Sequence, residues 1–403
     1  MSRALLAVLC LTFAAVSAAR AETGVGPGPA ATWGTSVVGT RAGKVLSVLE
    51  TSGVLYVGGE FTAMAPPGST GEQGAVPRNH LAALDVASGT LTNWDPGANG
   101  TVRALLLSQD GRRLYVGGDF STIGGQVVRK LALLDLATGA VDPTFAPQIS
   151  GRVRALALAG NRLYAGGDFQ SPRPLLAAFD ARSGELVDWV PPENGGGMFV
   201  GQTGEPTPDA GPGTVDALAV SHRGTVVHAG GTFINFGGRA GLLTLDAGSG
   251  EATSWQGEMK RPVFGLAVSP DGRTLYAATG GAGGRIYSFD PGGAGAPAWS
   301  GSFDGDAVAV VASADTVYVA GHFDNIVVKG SKCYQYCPGG PVRRHLAAFD
   351  AATGAVDPWG PTANTSTGPY TEALGAGHLY VGGEFTKING HLQPGIAQFP
   401  GRP

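Results

Sequence analysis

Arginines and carboxylates recur near the starts of short apolar segments in this chain. They stand at the second position of several segments, as at Arg103, Arg154, Asp216 and Glu372. Mixed groups of this kind around a common opening could hold a small polar ligand. The alternative is ordinary surface charge, which contributes little energy. The same position in the other segments is occupied by Ser47, Phe264 and Val308.

A second set of charged residues follows a pair of small residues, usually Gly-Gly. It comprises Glu60, Asp119, Asp168 and Glu384, and His322 takes this place in one further segment. Several carboxylates near one rim could bind a cation such as calcium through oxygen ligands. The competing interpretation is that each acid accepts hydrogen bonds from amides of its own turn. We expect no resident cofactor, with calcium as the one candidate.

The second set belongs to a repeated motif, Leu-Tyr-Val-Gly-Gly-acid-Phe, and the first set lies in the apolar run that precedes a copy of it. The best copies are Leu55–Phe61, Leu114–Phe120, Leu163–Phe169 and Leu379–Phe385. Degraded copies are Val227–Phe233, Leu275–Gly281 and Val317–Phe323. Around each copy, short apolar runs alternate with turns over about 50 residues, the size of a propeller blade. Sustained helical periodicity is lacking, so the chain is predicted to be all-β.

We predict a seven-bladed β-propeller of four-stranded antiparallel blades within residues 22–403. The last unit lacks its fourth strand, and the segment near Trp33 is expected to supply it and close the ring, which removes open sheet edges. Trp33 would thus occupy the place that an aromatic residue holds after the third strand of the other units. Those aromatics are Trp94, Phe145, Trp189, Trp255, Trp299 and Trp359.

Other repeated residues are predicted to be structural. Turns of the type Asp-x-x-Ser/Thr-Gly begin at Asp85, Asp135, Asp180, Asp246 and Asp350. The aspartate can accept turn amides, and the glycine can adopt positive φ. The following aromatic is expected to wedge between blades, and the Gly-Gly pair to permit close packing of neighbouring sheets.

Two family resemblances emerge at these residues. The units typified by Leu114–Gly125 resemble the delta-sixty repeat of bacterial propeller proteins, most of which have no assigned activity. The segment Ala348–Trp359 resembles the tryptophan-docking motif of quinoprotein propellers, with one extra residue before the tryptophan. In that family the motif holds blades together, so this likeness implies a propeller and says little about a quinone. The adjacent-cysteine disulfide typical of quinone sites is missing, since Cys333 and Cys337 are separated.

Long connections are expected on one face of the propeller only. The insertions 64–79, 192–213, 327–344 and 360–370 all fall between second and third strands or between blades. Insertions on one face of a repeat protein often mark a binding face. In the insertion 327–344, Cys333 and Cys337 are predicted to form a disulfide. Tyr334 and Tyr336 beside them are candidate ligand contacts.

The N-terminus predicts a signal peptide over residues 1–21. Arg3 supplies a positive start, Ala4–Ala19 is almost wholly apolar, and Ala19-Arg20-Ala21 has the small residues of a cleavage site. The apolar run is shorter than the roughly 20 residues of a membrane-spanning helix. We therefore expect a secreted or periplasmic protein without a membrane span.

Composition narrows the class of partner. The net charge is −4, and charged residues make up 14% of the chain, so the basic footprint of a nucleic-acid-binding protein is absent. The 43% hydrophobic content excludes a disordered chain. We expect a monomer that binds a protein or carbohydrate through its long-loop face.

Two functions remain open at this point. The first is a non-catalytic binding module, because the chain lacks His-Glu-x-x-His, Gly-x-Ser-x-Gly and Walker-type motifs. The second is an extracytoplasmic enzyme, either a lyase, a hydrolase or a quinone-dependent oxidoreductase, with its site at the channel mouth. Propellers assemble such sites from residues scattered over several blades, which sequence spacing does not reveal.

Overall fold

The computed structural model describes residues 29–38, 41–69, 71–200, 205–208, 211–255, 257, 259–281, 283–327 and 341–401. Over these ranges the protein is all-β, with a single 3-10 turn at His222–Gly224. None of these residues lies in a helix of the length and hydropathy needed to cross a membrane. The prediction of an all-β chain is confirmed.

Seven antiparallel sheets, numbered here in chain order, dominate the described ranges. Sheet 1 consists of Lys44–Thr51, Val54–Glu60 and Leu81–Asp85. Sheet 2 consists of Val102–Leu107, Arg113–Gly118 and Leu131–Asp135. Sheet 3 consists of Val153–Ala159, Arg162–Gly167 and Leu176–Asp180. Sheet 4 consists of Val215–Ser221, Val226–Gly231 and Leu242–Asp246.

The remaining sheets follow the same plan. Sheet 5 consists of Val263–Val268, Leu275–Thr279, Arg285–Phe289 and Pro297–Phe303, and Ile326–Val327 adds to its edge. Sheet 6 consists of Asp306–Ala312, Thr316–His322 and Leu346–Asp350. Sheet 7 consists of Pro369–Gly375, His378–Gly383 and Ile396–Pro400. In every sheet the motif strand is the second strand, with the first and third strands on either side of it.

The predicted fourth strand is wrong for six of these seven sheets, which have three strands each in the described ranges. Among the described residues, only sheet 5 has a full fourth strand, Pro297–Phe303. In sheet 2, for example, the segment is reduced to a bridge between Leu134 and Val141. The chain then turns, because Asp142 accepts the Thr144 amide with its side chain (2.9 Å) and Pro143 has no amide to donate.

Short strands lie in the connections. They are Gly34–Thr35, Val37–Val38, Arg41–Ala42, Ala63–Ala65, Val76–Pro77, Thr122–Ile123, Gln126–Val127, Met198–Val200, Glu205–Thr207, Lys387–Ile388 and His391–Leu392. Loops that enter a first strand contact loops that leave a second strand. The Asn99 side chain, for example, accepts the amides of Ser121 and Thr122, both at 2.8 Å. These two kinds of loop therefore share a face, as predicted.

The Gly-Gly pair brings neighbouring sheets together, which confirms its predicted role. A methyl group added at Gly166 of sheet 3 would lie 2.4 Å from Cγ1 of Val215 on the first strand of sheet 4. The same pairing joins Gly58 to Val102, Gly117 to Val153, Gly230 to Val263 and Gly382 to Val45. Sheet 5 has Ala278 at this place, and Ala307 replaces the valine in the cluster that Ala278 joins. At this junction the larger residue of the motif strand is thus accompanied by a smaller residue on the neighbouring first strand.

Aromatic residues wedge between sheets, also as predicted. The indole of Trp189 meets Tyr164 edge-on at 5.0 Å, and its Nε1 donates to the Asp246 carbonyl in the turn of the next sheet (3.0 Å). Tyr164 donates its hydroxyl to the Ala247 carbonyl of that turn (2.6 Å). The turn aspartates are structural, because Asp246 accepts the Ser249 amide at 2.7 Å. The turn glycine, Gly250, has φ +87°.

The buried core is divided into clusters that lie between consecutive sheets. One further cluster joins Tyr380 and Ile396 of sheet 7 to Val45 and Leu84 of sheet 1, with Trp33 packed against it. The first strands of neighbouring sheets contact one another in chain order, and the first strand of sheet 7 contacts that of sheet 1. The Ala30 amide donates to the Gln398 carbonyl in sheet 7 (2.8 Å).

The contact between Gly166 and Val215 generates a prediction about stability. We expect Gly166→Ala to destabilise the protein by about 1–3 kcal/mol, because the added methyl overpacks the interface. Val215→Ala should also destabilise it by leaving a cavity. The double variant should lose less than the sum of the two, since it recreates the pairing of Ala278 with Ala307. Urea unfolding of the four proteins measures this coupling, and strictly additive losses would contradict the contact.

Candidate functional site

Each first strand carries a β-bulge near its start, which positions one side chain per sheet. Glycine at the second small position of the motif makes room for the bulge in six sheets, while sheet 5 has Thr279 there and keeps its bulge. A methyl at Gly167 would lie 1.9 Å from the carbonyl oxygen of Arg152. Bulges re-aim side chains and often occur beside functional sites. The bulged residues are Leu46, Arg103, Arg154, Asp216, Phe264, Val308 and Tyr370.

The predicted alignment was wrong in sheets 1 and 7. The register of sheet 7 shifts between Pro369 and Thr371, so Tyr370 is the bulged residue and Glu372 lies two positions beyond it. In sheet 1 the shift makes Leu46, rather than Ser47, the bulged residue. The strand of sheet 7 begins earlier than its apolar residues suggested, which caused the displacement. Arg103, Arg154 and Asp216 keep their predicted place.

These three residues belong to a network of ion pairs over sheets 2 to 4. Arg103 binds Asp119 with two nitrogens, at 3.0 and 2.9 Å. Arg154 contacts Asp216 at 3.2 Å and Asp168 at 3.5 Å. Bidentate and charge-assisted pairs of this kind are the stronger class of hydrogen bond. The structure thus places Arg103, Arg154 and Asp216 in ion pairs over three consecutive sheets, and Glu372 lies elsewhere.

Arg154 contacts two carboxylates, Asp216 and Asp168, that differ in their hydrogen-bond partners. The side chain of Asp216 is 14% exposed, and burial raises its pKa, while Arg154 opposes that change. The Thr214 hydroxyl donates to the second carboxylate oxygen of Asp216. Asp168 accepts the amide of Arg152 (3.0 Å) and pairs with its Nε (2.9 Å). Asp168 therefore forms an ion pair and also accepts a backbone amide of a neighbouring loop.

A cleft with a volume of about 500 Å³ opens above this network. Lys130, Arg152 and Asp168 supply its charged lining. The predicted insertion 192–213 forms one wall through Met198 and Pro212. Other lining residues are Ser150, Gly151, Gly213 and Thr214. The cleft falls in the range of about 300–1,000 Å³ that is usual for small-ligand sites.

The insertion that forms this wall is tied to sheet 4. Met198 bridges Phe233, and Asn194 bridges Phe236, both in the loop that follows the second strand. Its ends also meet, because the Gly197 amide donates to the Gly211 carbonyl at 2.7 Å. The hairpin Met198–Val200 with Glu205–Thr207 therefore projects from a fixed base.

The remaining candidate cation ligands lie at the junction of sheets 7 and 1. Glu60 and Glu384 both approach the Lys44 ammonium, at 3.9 and 3.8 Å. Glu384 also accepts the Tyr370 hydroxyl at 3.3 Å. Asp119 and Asp168 lie instead in the network of sheets 2 to 4. Within the ranges that the structure describes, no three His, Cys, Asp or Glu side chains form a group able to hold a metal.

Glu372 occupies an interior position between sheets 6 and 7. It pairs in register with Val381, which belongs to the buried cluster of those sheets. Both of its carboxyl oxygens are buried and have no hydrogen-bond partner in the described ranges, and burial raises its pKa well above 4.5. The equivalent residues of the other sheets are aliphatic: Val48, Leu105, Leu156, Leu218, Leu266 and Val310.

Several predicted residues cannot be placed. Cys333, Cys337, Tyr334 and Tyr336 lie outside the described residues, as does the predicted signal peptide 1–21. Conversely, the sequence argument missed Lys130, Arg152, Thr214 and Met198 in the cleft. Arg152 and Thr214 each directly precede a first strand, so a search one residue upstream of the strands would have found them. Lys130 likewise directly precedes the third strand of sheet 2, whereas Met198 lies within the insertion 192–213 and no motif marks it.

Comparison with known proteins supports the fold. A family model described as a β-propeller domain of unknown function, DUF5122, matches residues 110–145, which cover much of sheet 2 and its aromatic wedge. The crystal structure of the computationally designed Ika8 protein aligns with a TM-score of 0.50 at 12% identity, over 93% of this chain and 100% of the designed chain. No curated protein matches the chain. The chain is a β-propeller protein.

Glu372 generates a prediction about stability. We expect Glu372→Leu to stabilise the protein by about 1–3 kcal/mol, because it removes an unpaired buried carboxyl and restores the aliphatic residue of the other sheets. Thermal unfolding at neutral pH measures this change. Glu185→Leu, at an exposed turn residue, is the control and should have little effect. A lower midpoint for Glu372→Leu would contradict the assigned environment.

The raised pKa of Glu372 also predicts a pH dependence. The folded chain retains a proton that the unfolded chain releases, so its stabilising contribution is present below about pH 4.5 and is lost as pH rises through the raised value. The Glu372→Gln variant cannot titrate there. We therefore expect its stability relative to the wild type to increase from pH 4.5 upward. A constant difference between the two proteins across this range would contradict the prediction.

Proposed function

We propose that the chain is a seven-bladed propeller whose ring is closed by the segment before Trp33. Support comes from the contact of Gly382 with Val45, which repeats the pairing found between the other sheets. It also comes from the Ala30 amide bonded to Gln398 on the outer strand of sheet 7. The Gly-Gly motif and its spacing further favour the delta-sixty type of repeat. Residues 22–403 then form one domain.

We infer that this propeller is an extracytoplasmic binding module that acts through its long-loop face. The pattern of residues 1–21 favours export, and the predicted disulfide between Cys333 and Cys337 fits an oxidising compartment. A rigid ring suits binding, because its loops are held by packed sheets while their sequences vary freely. The expected partner is a protein or carbohydrate, bound by a monomer.

The observation that carries this proposal is the cleft beside the insertion 192–213. This insertion departs from the repeat, and its Met198 and Pro212 border a cleft floored by residues of the repeat. The other described face has short turns whose aspartates are occupied by their own amides, as at Asp135 and Asp180. The cleft on the long-loop face therefore offers a concave surface and charged side chains with unused hydrogen-bonding capacity.

An enzyme is the second candidate, and Asp216 is the residue that favours it. A carboxyl group with a raised pKa beside an arginine is a frequent feature of catalytic sites. Both Asp216 oxygens are already bonded, to Arg154 and Thr214. This satisfied geometry favours a positioning role in a binding site over proton transfer. Turnover of a retained ligand, lost in Asp216→Asn, would support the enzyme instead.

The test is ligand capture with the protein from Glu22 onward, on a glycan array and by pull-down. A variant that joins Gly197 directly to Gly211 removes the hairpin where its ends already meet. We expect the wild type to retain a ligand and this variant to lose it, while a cooperative melting transition shows that the variant still folds. A matched variant with Arg182→Gln, on the short-turn face, should bind normally. Equal retention by all three proteins would contradict the proposed face, and no retention by the wild type would contradict a binding module.

A further inference from the structure

We propose that the cleft binds an acidic saccharide, whose carboxylate is held by Arg152 and Lys130. This inference rests on the proposed function and specifies the ligand class of the same cleft. The charged lining residues are Lys130, Arg152 and Asp168, so two cations face one carboxylate and leave an excess of one positive charge. An anionic group is the natural complement to that excess.

Arg152 has the donors that such a group needs. Its side chain is 50% exposed and uses Nε on Asp168 at 2.9 Å. Both Nη groups are without a protein partner in the part of the chain that the structure describes. A guanidinium offers five donors in a planar fork, which matches a carboxylate. Asp168 fixes the orientation of this fork through Nε and through the Arg152 amide.

Lys130 supplies the second cation. Its ammonium donates one hydrogen bond to the Asp119 carbonyl at 2.6 Å. An ammonium group has three donors, so this bond fixes its place and leaves capacity for a ligand. The backbone of Lys130 is left-handed, with φ +68°. That conformation fixes the direction of the side chain. A test variant therefore needs a residue that tolerates positive φ.

The rest of the lining favours a sugar acid over an acidic peptide. Ser150 and Asp168 can accept hydrogen bonds from sugar hydroxyls, and Met198 offers an apolar surface for a ring face. A volume of about 500 Å³ also suits a short saccharide better than a bare inorganic anion.

The experiment is calorimetric titration of the protein from Glu22 onward with an oligogalacturonate trimer. Its uncharged methyl ester, inorganic sulfate and a polyglutamate peptide are the comparison ligands. The variants are Arg152→Gln and Lys130→Asn, the latter because asparagine tolerates left-handed backbone. Arg182→Gln on the opposite face is the control. Melting midpoints establish that all variants fold.

We expect the trimer to bind, and each cleft variant to weaken it about tenfold or more, since charge-assisted hydrogen bonds are lost. The methyl ester should bind more weakly to the wild type, and Arg182→Gln should leave affinity unchanged. Sulfate or polyglutamate binding without trimer binding would overturn the saccharide class. Binding of the ester as tightly as the acid would overturn the role of charge, yet would leave the binding module intact. Unchanged affinity in both cleft variants would overturn the assigned residues.

Discussion

Contact between a residue without a side chain and a valine of the next sheet sets the geometry of this protein. Where Gly166 meets Val215, the two sheets approach so closely that one methyl group would collide. The pairing recurs through the molecule and reappears between Gly382 and Val45, at opposite ends of the chain. Where alanine takes the place of glycine, at Ala278, the opposing residue is Ala307. There the larger residue on one sheet is accompanied by a smaller residue on the next.

The candidate site follows from the same motif. The second glycine accommodates the bulge of the first strand, and the bulge presents Arg103, Arg154 and Asp216 to one another. Acids at the end of the second strand then complete the ion pairs, as Asp119 does for Arg103. The repeat therefore supplies the floor of the cleft, and the insertion 192–213 supplies a wall. A change in this loop can therefore alter the cleft and leave the sheets beneath it in place.

Sequence reasoning identified the repeat, the motif strands and the turns because these depend on local residue types. It misplaced Glu372 because the first strand of sheet 7 begins at Pro369, before the apolar residues from which its start was inferred. It predicted fourth strands that are longer than those observed. In sheet 2, for example, the Asp142 side chain accepts an amide of its own turn, and strand pairing ends there. The cleft was missed because Lys130, Arg152 and Met198 come from different sheets and meet only after folding.

Continuity from sheet 7 to sheet 1 is what distinguishes the proposed ring from an open stack of sheets. Amide hydrogen exchange of the second strands tests this directly, because the ends of an open stack of sheets would fray. Val57 in sheet 1 and Val381 in sheet 7 should be protected to within about tenfold of Ala165 in sheet 3. Exchange in sheets 1 and 7 that is faster than in sheet 3 by several orders of magnitude would contradict a closed ring.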